Sequence, residues 1–171
     1  VIERIYTAEP EELWELWTTK DGFESWWGPQ EFRAEVHSIE PRHGGVLHYD
    51  MVADTPEAVA AMEGMGAPTK QPCHGTFSEF RPHERLVLRQ VIDFLPGVAP
   101  YGSTIVVDFF AAGKGCVRMV VTLSQMHDAA TTGMQREGFL SQLSKLTSDT
   151  TGRPSDHPGC PTSAPMAQIR G

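Results

Sequence analysis

Tyr49 and Gln90 are the two polar side chains that stand inside otherwise apolar, alternating runs of this chain. A polar group turned onto an apolar face needs a hydrogen-bond partner, and a bound molecule or an ordered water supplies one. The residues that share their faces are Phe32, Val36, Leu47 and Met51 on one predicted hairpin, and Phe77, Leu88 and Ile92 on the next. Met134, on a predicted C-terminal helix, closes that set, and Trp27 offers a flat ring for stacking. Together these eleven are the expected ligand contacts. An apolar cavity with a few orienting polar groups is the usual form of a small-molecule site.

Proton transfer would need an acid or base in the same cavity. Glu79 and Asp108 are the candidates, since a carboxylate in apolar surroundings has a raised pKa. Glu79 also lies at a hairpin end beside Arg81 and Arg85, where an ion pair is the simpler role. The chain carries no nucleophile motif, Walker loop or dinucleotide fingerprint, and Gly113-Lys114-Gly115 reads as a turn. No catalytic residue is therefore assigned. His37 and His48 are predicted cross-strand neighbours, with Glu35 and Asp50 on the same face, a donor set suited to zinc or iron. That face is the solvated one, and histidine beside acids is common there. No metal and no cofactor are expected. Cys73 and His74 are adjacent on a strand and point to opposite faces.

The elements that must position these residues are legible from their periods. Residues 1–8 read as a first strand, and Pro10 with Glu11 and Glu12 opens a helix whose apolar face is Leu13, Trp14, Leu16 and Trp17. A short helix over about 21–27 stops at Gly28-Pro29. From Phe32 the period becomes two. Three hairpins follow, turning at 41–45, at 81–84 and at 113–115. The first is expected to pair Val36 with Tyr49, Ser38 with Leu47 and His37 with His48. In the second, Gly75, Phe77, Leu88, Gln90 and Ile92 share a face. His74, Arg89 and Asp93 share the other, with Phe80, Val87 and Val91 falling among them. Residues 54–72 interrupt the sheet with a helical turn carrying Val59, Met62 and Met65, a candidate lid because methionines adapt to irregular apolar ligands. Asp128 caps a long last helix, about 129–147, with Met134, Leu140, Leu143 and Leu146 inward. Residues 148–171 are a Pro-rich tail.

The chain has 171 residues with 22 acidic and 14 basic side chains, net −8. That is one domain by length, and the charge argues against nucleic acid, whose phosphates need clustered positive surface. No apolar run is long enough to insert into a membrane. Three dispersed cysteines suggest reduced thiols, and the start lacks the features of a signal peptide, so a cytoplasmic location is expected. The excess of Arg over Lys fits a bacterial source.

Leu13-Trp14-Glu15-Leu16-Trp17-Thr18, then Trp26-Trp27-Gly28-Pro29, resemble the opening of the SRPBCC superfamily, in particular its AHSA-type branch, the activator of heat-shock-protein ATPase homologues. The resemblance continues through Pro41–Gly45, Gly75–Val87, Arg118–Leu123 and Gly138–Leu143, in the right order over about 1–147. It implies the α+β helix-grip fold of the START and Bet v-like groups: a curved antiparallel sheet of about six strands wrapped around a long C-terminal helix, with two short helices after the first strand. It also implies an apolar cavity between sheet and helix. The 54–72 insert and the tail depart from the pattern. On this reading the partner is a small hydrophobic or aromatic ligand. The alternative is a cyclase, hydrolase or dehydratase using a cavity carboxylate or Tyr49. A chaperone-ATPase regulator ranks last, and a homodimer stays open.

Overall fold

A computed structural model describes the backbone of residues 1–149 and the side chains through Leu146. The predicted tail, 148–171, falls almost wholly outside the described residues. Seven strands form one antiparallel sheet: β1 (Ile2–Thr7), β2 (Phe32–Ile39), β3 (Val46–Ala53), β4 (Lys70–Arg81), β5 (Arg85–Ile92), β6 (Tyr101–Gly113) and β7 (Cys116–Leu123). Their spatial order is β1-β7-β6-β5-β4-β3-β2, so consecutive hairpins build the sheet and the first strand returns beside the last. Helices α1 (Pro10–Thr18) and α2 (Lys20–Trp26) carry the chain from one sheet edge to the other. α3 (Pro56–Gly64) lies in the β3–β4 connection, and α4 (Ala129–Asp149) follows β7. This is the α+β helix-grip architecture expected from the sequence.

The helix ends follow ordinary capping chemistry. Glu9 and Glu12 form a reciprocal capping box around Pro10 at the start of α1. Thr19 and Thr55 accept from the amides of Gly22 and Ala58 to open α2 and α3. Asp128 accepts from the Thr131 amide at 2.6 Å, as expected of the cap of α4. That bond holds the Asp128 carboxyl below its usual range.

Two β-bulges correct the expected registers. Val36 does face Tyr49, but an extra residue at His37 shifts the ladder, so Ser38 pairs with His48 and Ile39 with Leu47. His37 turns to Asp50 instead, with its Nε2 2.8 Å from the carboxylate. A second bulge, at Ser78, explains why Phe80 did not fit its predicted face. Beyond it the alternation flips, Phe80 pairs with Leu86, and its ring meets Trp14 edge-on at 4.9 Å. In β6 and β7 the inward residues are Ser103, Ile105, Val107 and Phe109, and Val117, Met119 and Val121, all buried.

Aromatic side chains pack between the sheet and the described part of α4. Trp17, Trp26 and Trp27 pack edge-to-face at centroid separations of 4.8–5.7 Å, with Phe139 stacked on Trp17 at 6.3 Å. Leu143 and Leu146 complete the wedge. The docking of α4 is fixed at Gly28, whose amide donates to Gln142 Oε1 at 3.1 Å. Gly28 has φ +103°, which a Cβ would strain, so glycine is needed where the chain turns from α2 toward β2. Cys73 is a free thiol.

Candidate functional site

A cavity of about 530 Å³ opens at the β2–β5 side of the sheet. Its floor is Phe32, Tyr49, Met51, Cys73, Gln90 and Ile92, where alternate residues of neighbouring strands point the same way. One wall is α3 and the segment after it, through Met62, Met65, Ala67, Pro68 and Thr69. The opposite lip is the β5–β6 connection, through Phe94 and Pro96. Apolar groups also stand exposed around the mouth: Met65 is 71% accessible, Phe94 41% and Val91 39%. Single exposed apolar residues are ordinary; these three stand around one opening.

Tyr49 organises the polar part of the floor. Its hydroxyl oxygen accepts from Trp27 Nε1 at 3.0 Å and from Gln90 Nε2 at 2.9 Å. The Cys73 thiol beside it donates to the Gln71 carbonyl at 3.5 Å. Burial pushes the Tyr49 phenol far above its ordinary value, so it stays protonated. Burial likewise pushes the Cys73 thiol up to about 11. Both groups are therefore neutral at physiological pH, and Cys73 is a weak nucleophile there.

Five of the eleven sequence-predicted contacts line this cavity: Phe32, Tyr49, Met51, Gln90 and Ile92. Trp27, Val36, Leu47, Phe77 and Leu88 are buried in the core, Trp27 reaching the site through its bond to Tyr49. Met134 is 66% accessible on the outer side of α4, because the helix turns Phe139, Leu143 and Leu146 inward. The described part of α4 contributes nothing to the lining. The cavity thus lies beneath α3 and beside the aromatic wedge, which already occupies the expected place between sheet and α4.

Sequence reasoning did not select Cys73 or the lip residues Phe94 and Pro96. Cys73 lies directly opposite Tyr49 in the β3–β4 ladder, a relation that only the pairing register reveals. Phe94 and Pro96 sit in a connection without periodicity.

The carboxylates considered for proton transfer face elsewhere. Glu79 is held by Arg81 and Arg85 at 2.6 and 3.3 Å, and the Arg81 bond lowers its pKa. Asp108 meets Arg85 at 3.1 Å. The histidine face carries ion pairs: His37 with Asp50, and His74 with Asp93 at 3.5 Å. Glu35 sits between Lys70 and Arg33, which hold its carboxyl down at about 2. Among the described residues no group of three or more His, Cys, Asp or Glu is placed to hold a metal ion. None of their helices is long and apolar enough to cross a membrane.

A curled sheet gripping a C-terminal helix, with an apolar cavity let into one side, defines a helix-grip protein of the SRPBCC class. Residues 7–148 match the family described as "Activator of Hsp90 ATPase homolog 1-like protein", and the chain belongs to that family. Among solved structures it is similar to a protein from Chromobacterium violaceum (TM-score 0.69, 18% identity, covering 89% of this chain and 96% of that one). It is also similar to the AHSA1 protein from Silicibacter pomeroyi (TM-score 0.68, 17% identity, 86% and 94%). A protein from Arthrobacter aurescens gives a TM-score of 0.67 at 20% identity, covering 91% and 90%. At these identities the likeness shows the fold alone. No curated protein matches the chain.

Proposed function

We propose that this protein binds a small hydrophobic or aromatic molecule in the cavity beneath α3, with the 54–72 insert as its lid. The observation that carries the reading is the cavity of about 530 Å³, floored by apolar side chains around the Tyr49–Gln90 pair. That volume falls within the roughly 300–1,000 Å³ of small-molecule sites. Met62 and Met65 on the lid supply flexible, polarisable contacts that adapt to an irregular ligand. The lining contains no carboxylate, and Tyr49 is held protonated, which favours binding over acid–base catalysis.

Native mass spectrometry against the denatured mass tests for a co-purified ligand. Titration with N-phenyl-1-naphthylamine, an environment-sensitive neutral fluorophore, tests the empty cavity. The expected result is one saturable site that ligand or fluorophore occupies. A folded protein that carries no adduct and leaves the fluorophore dark would overturn the reading.

A further inference from the structure

We propose that the site selects an electrically neutral ligand bearing one hydroxyl or N–H group, and rejects the carboxylate and ammonium analogues of the same skeleton. This rests on the cavity binding a ligand at all and adds which chemical class it takes.

The argument starts from charge. None of the lining residues is Lys, Arg, Asp or Glu, and the one imidazole among them, His74, is already paired with Asp93 at 3.5 Å. The charged neighbours have partners of their own. Lys70, between the lining residues Thr69 and Gln71, reaches Glu35 at 2.7 Å on the outer face. Asp93, next to Phe94, is engaged by the lining residue His74 at 3.5 Å. A carboxylate or ammonium entering this cavity would lose its hydration without gaining a counter-ion, and an unpaired buried charge is strongly unfavourable.

Hydrogen-bonding capacity then fixes the polar end. Both acceptor positions of the Tyr49 hydroxyl oxygen are taken, by Trp27 Nε1 and Gln90 Nε2. Gln90 spends one N–H on Tyr49, while its carbonyl and second N–H make no side-chain bond among the described residues. The Tyr49 bond fixes where that amide points. It presents one acceptor beside one donor, a pattern that a single hydroxyl satisfies both ways and an N–H satisfies at the carbonyl. Size sets the rest. At ~30 Å³ per water-sized unit, the volume accommodates a molecule of roughly 15 to 18 non-hydrogen atoms.

The test is competition against N-phenyl-1-naphthylamine by 1-decanol, decanoate and decylammonium at pH 7.5, on the wild-type chain and on Gln90→Leu. All three share one alkyl chain and differ at the head. The expected result is that decanol displaces the fluorophore at concentrations at least tenfold lower than either ion. Gln90→Leu, checked for folding by its thermal melt, weakens decanol about fivefold or more. Decanoate or decylammonium competing as well as decanol overturns the neutral class. Equal decanol affinity in a folded Gln90→Leu overturns the anchor. Failure of the fluorophore itself to bind would strike the cavity reading instead.

Discussion

Two regions of the interior meet at Tyr49 and are built on opposite lines. Beneath α4, three tryptophans, Phe139, Leu143 and Leu146 interlock with almost no exposure, the tryptophan rings meeting edge to face. Beneath α3, the walls are Met62, Met65, Gly66, Ala67 and Pro68, either small or flexible, and a cavity remains. The same sheet supports both. What differs is side-chain shape: bulky aromatics pack within the grip of the long helix, and the cavity lies to the side of the insert. Stability and the binding we propose thus rest on different residues, and variants can separate them.

The sharpest contrast is Trp17→Ala against Met65→Ala. Trp17 is 1% exposed at the centre of the wedge, and truncating such a side chain costs about 3–5 kcal/mol in denaturant unfolding. Met65 is 71% exposed, and its truncation stays within about 0.5 kcal/mol. Comparable losses would mean that the lid carries the fold as well. Tyr49→Phe tests the junction. It removes the acceptor of both Trp27 and Gln90, and unfolding should become easier by about 1–3 kcal/mol, the cost of buried donors left unpaired. A neutral change would mean that the two donors find other partners.

Ala67→Trp addresses the cavity alone. Ala67 lines the wall after α3, where a bulky ring projects into empty space instead of packed atoms. Fluorophore affinity should fall tenfold or more, while the melting temperature moves by less than about 4 °C, equivalent to under ~1 kcal/mol for a domain of this size. A loss of stability without a loss of affinity would contradict the division of labour.

The element order was legible because each hairpin turn is chemically marked and each run keeps its period. So was the inward face of the first two hairpins: the expected alternation placed Tyr49, Met51, Gln90 and Ile92 together, and they do share a floor. The bulges at His37 and Ser78 were not legible, since one extra residue leaves composition unchanged while reversing every face beyond it. Met134 misled for another reason. Its apolar type suggested the inner side, but at ~100° per residue it stands about half a turn round α4 from Leu143, on the outer side. Where the cavity lies could not be read at all. Nothing in a linear pattern says that three tryptophans converge under α4 rather than spread along the sheet.

Cys73 reports on the open region with the smallest perturbation. It is the free thiol opposite Tyr49 on the cavity floor. Burial raises its pKa to about 11, against roughly 8.5 for an unperturbed thiol. A group whose folded pKa is raised stabilises the fold below its unfolded value and loses that contribution as pH rises through the folded one. The relevant window is therefore alkaline, from about 8.5 up to about 11. Over it the wild-type chain should lose slightly more stability than Cys73→Ala, measured as the difference in denaturant midpoint at each pH. Alkylation by iodoacetamide should keep accelerating toward pH 11 instead of levelling near 9, and a saturating cavity ligand should slow it several-fold. Rapid labelling at pH 8 that ligand leaves unchanged would place the thiol in solvent and dissolve the contrast between a sealed wedge and a ligand-sized opening beside it.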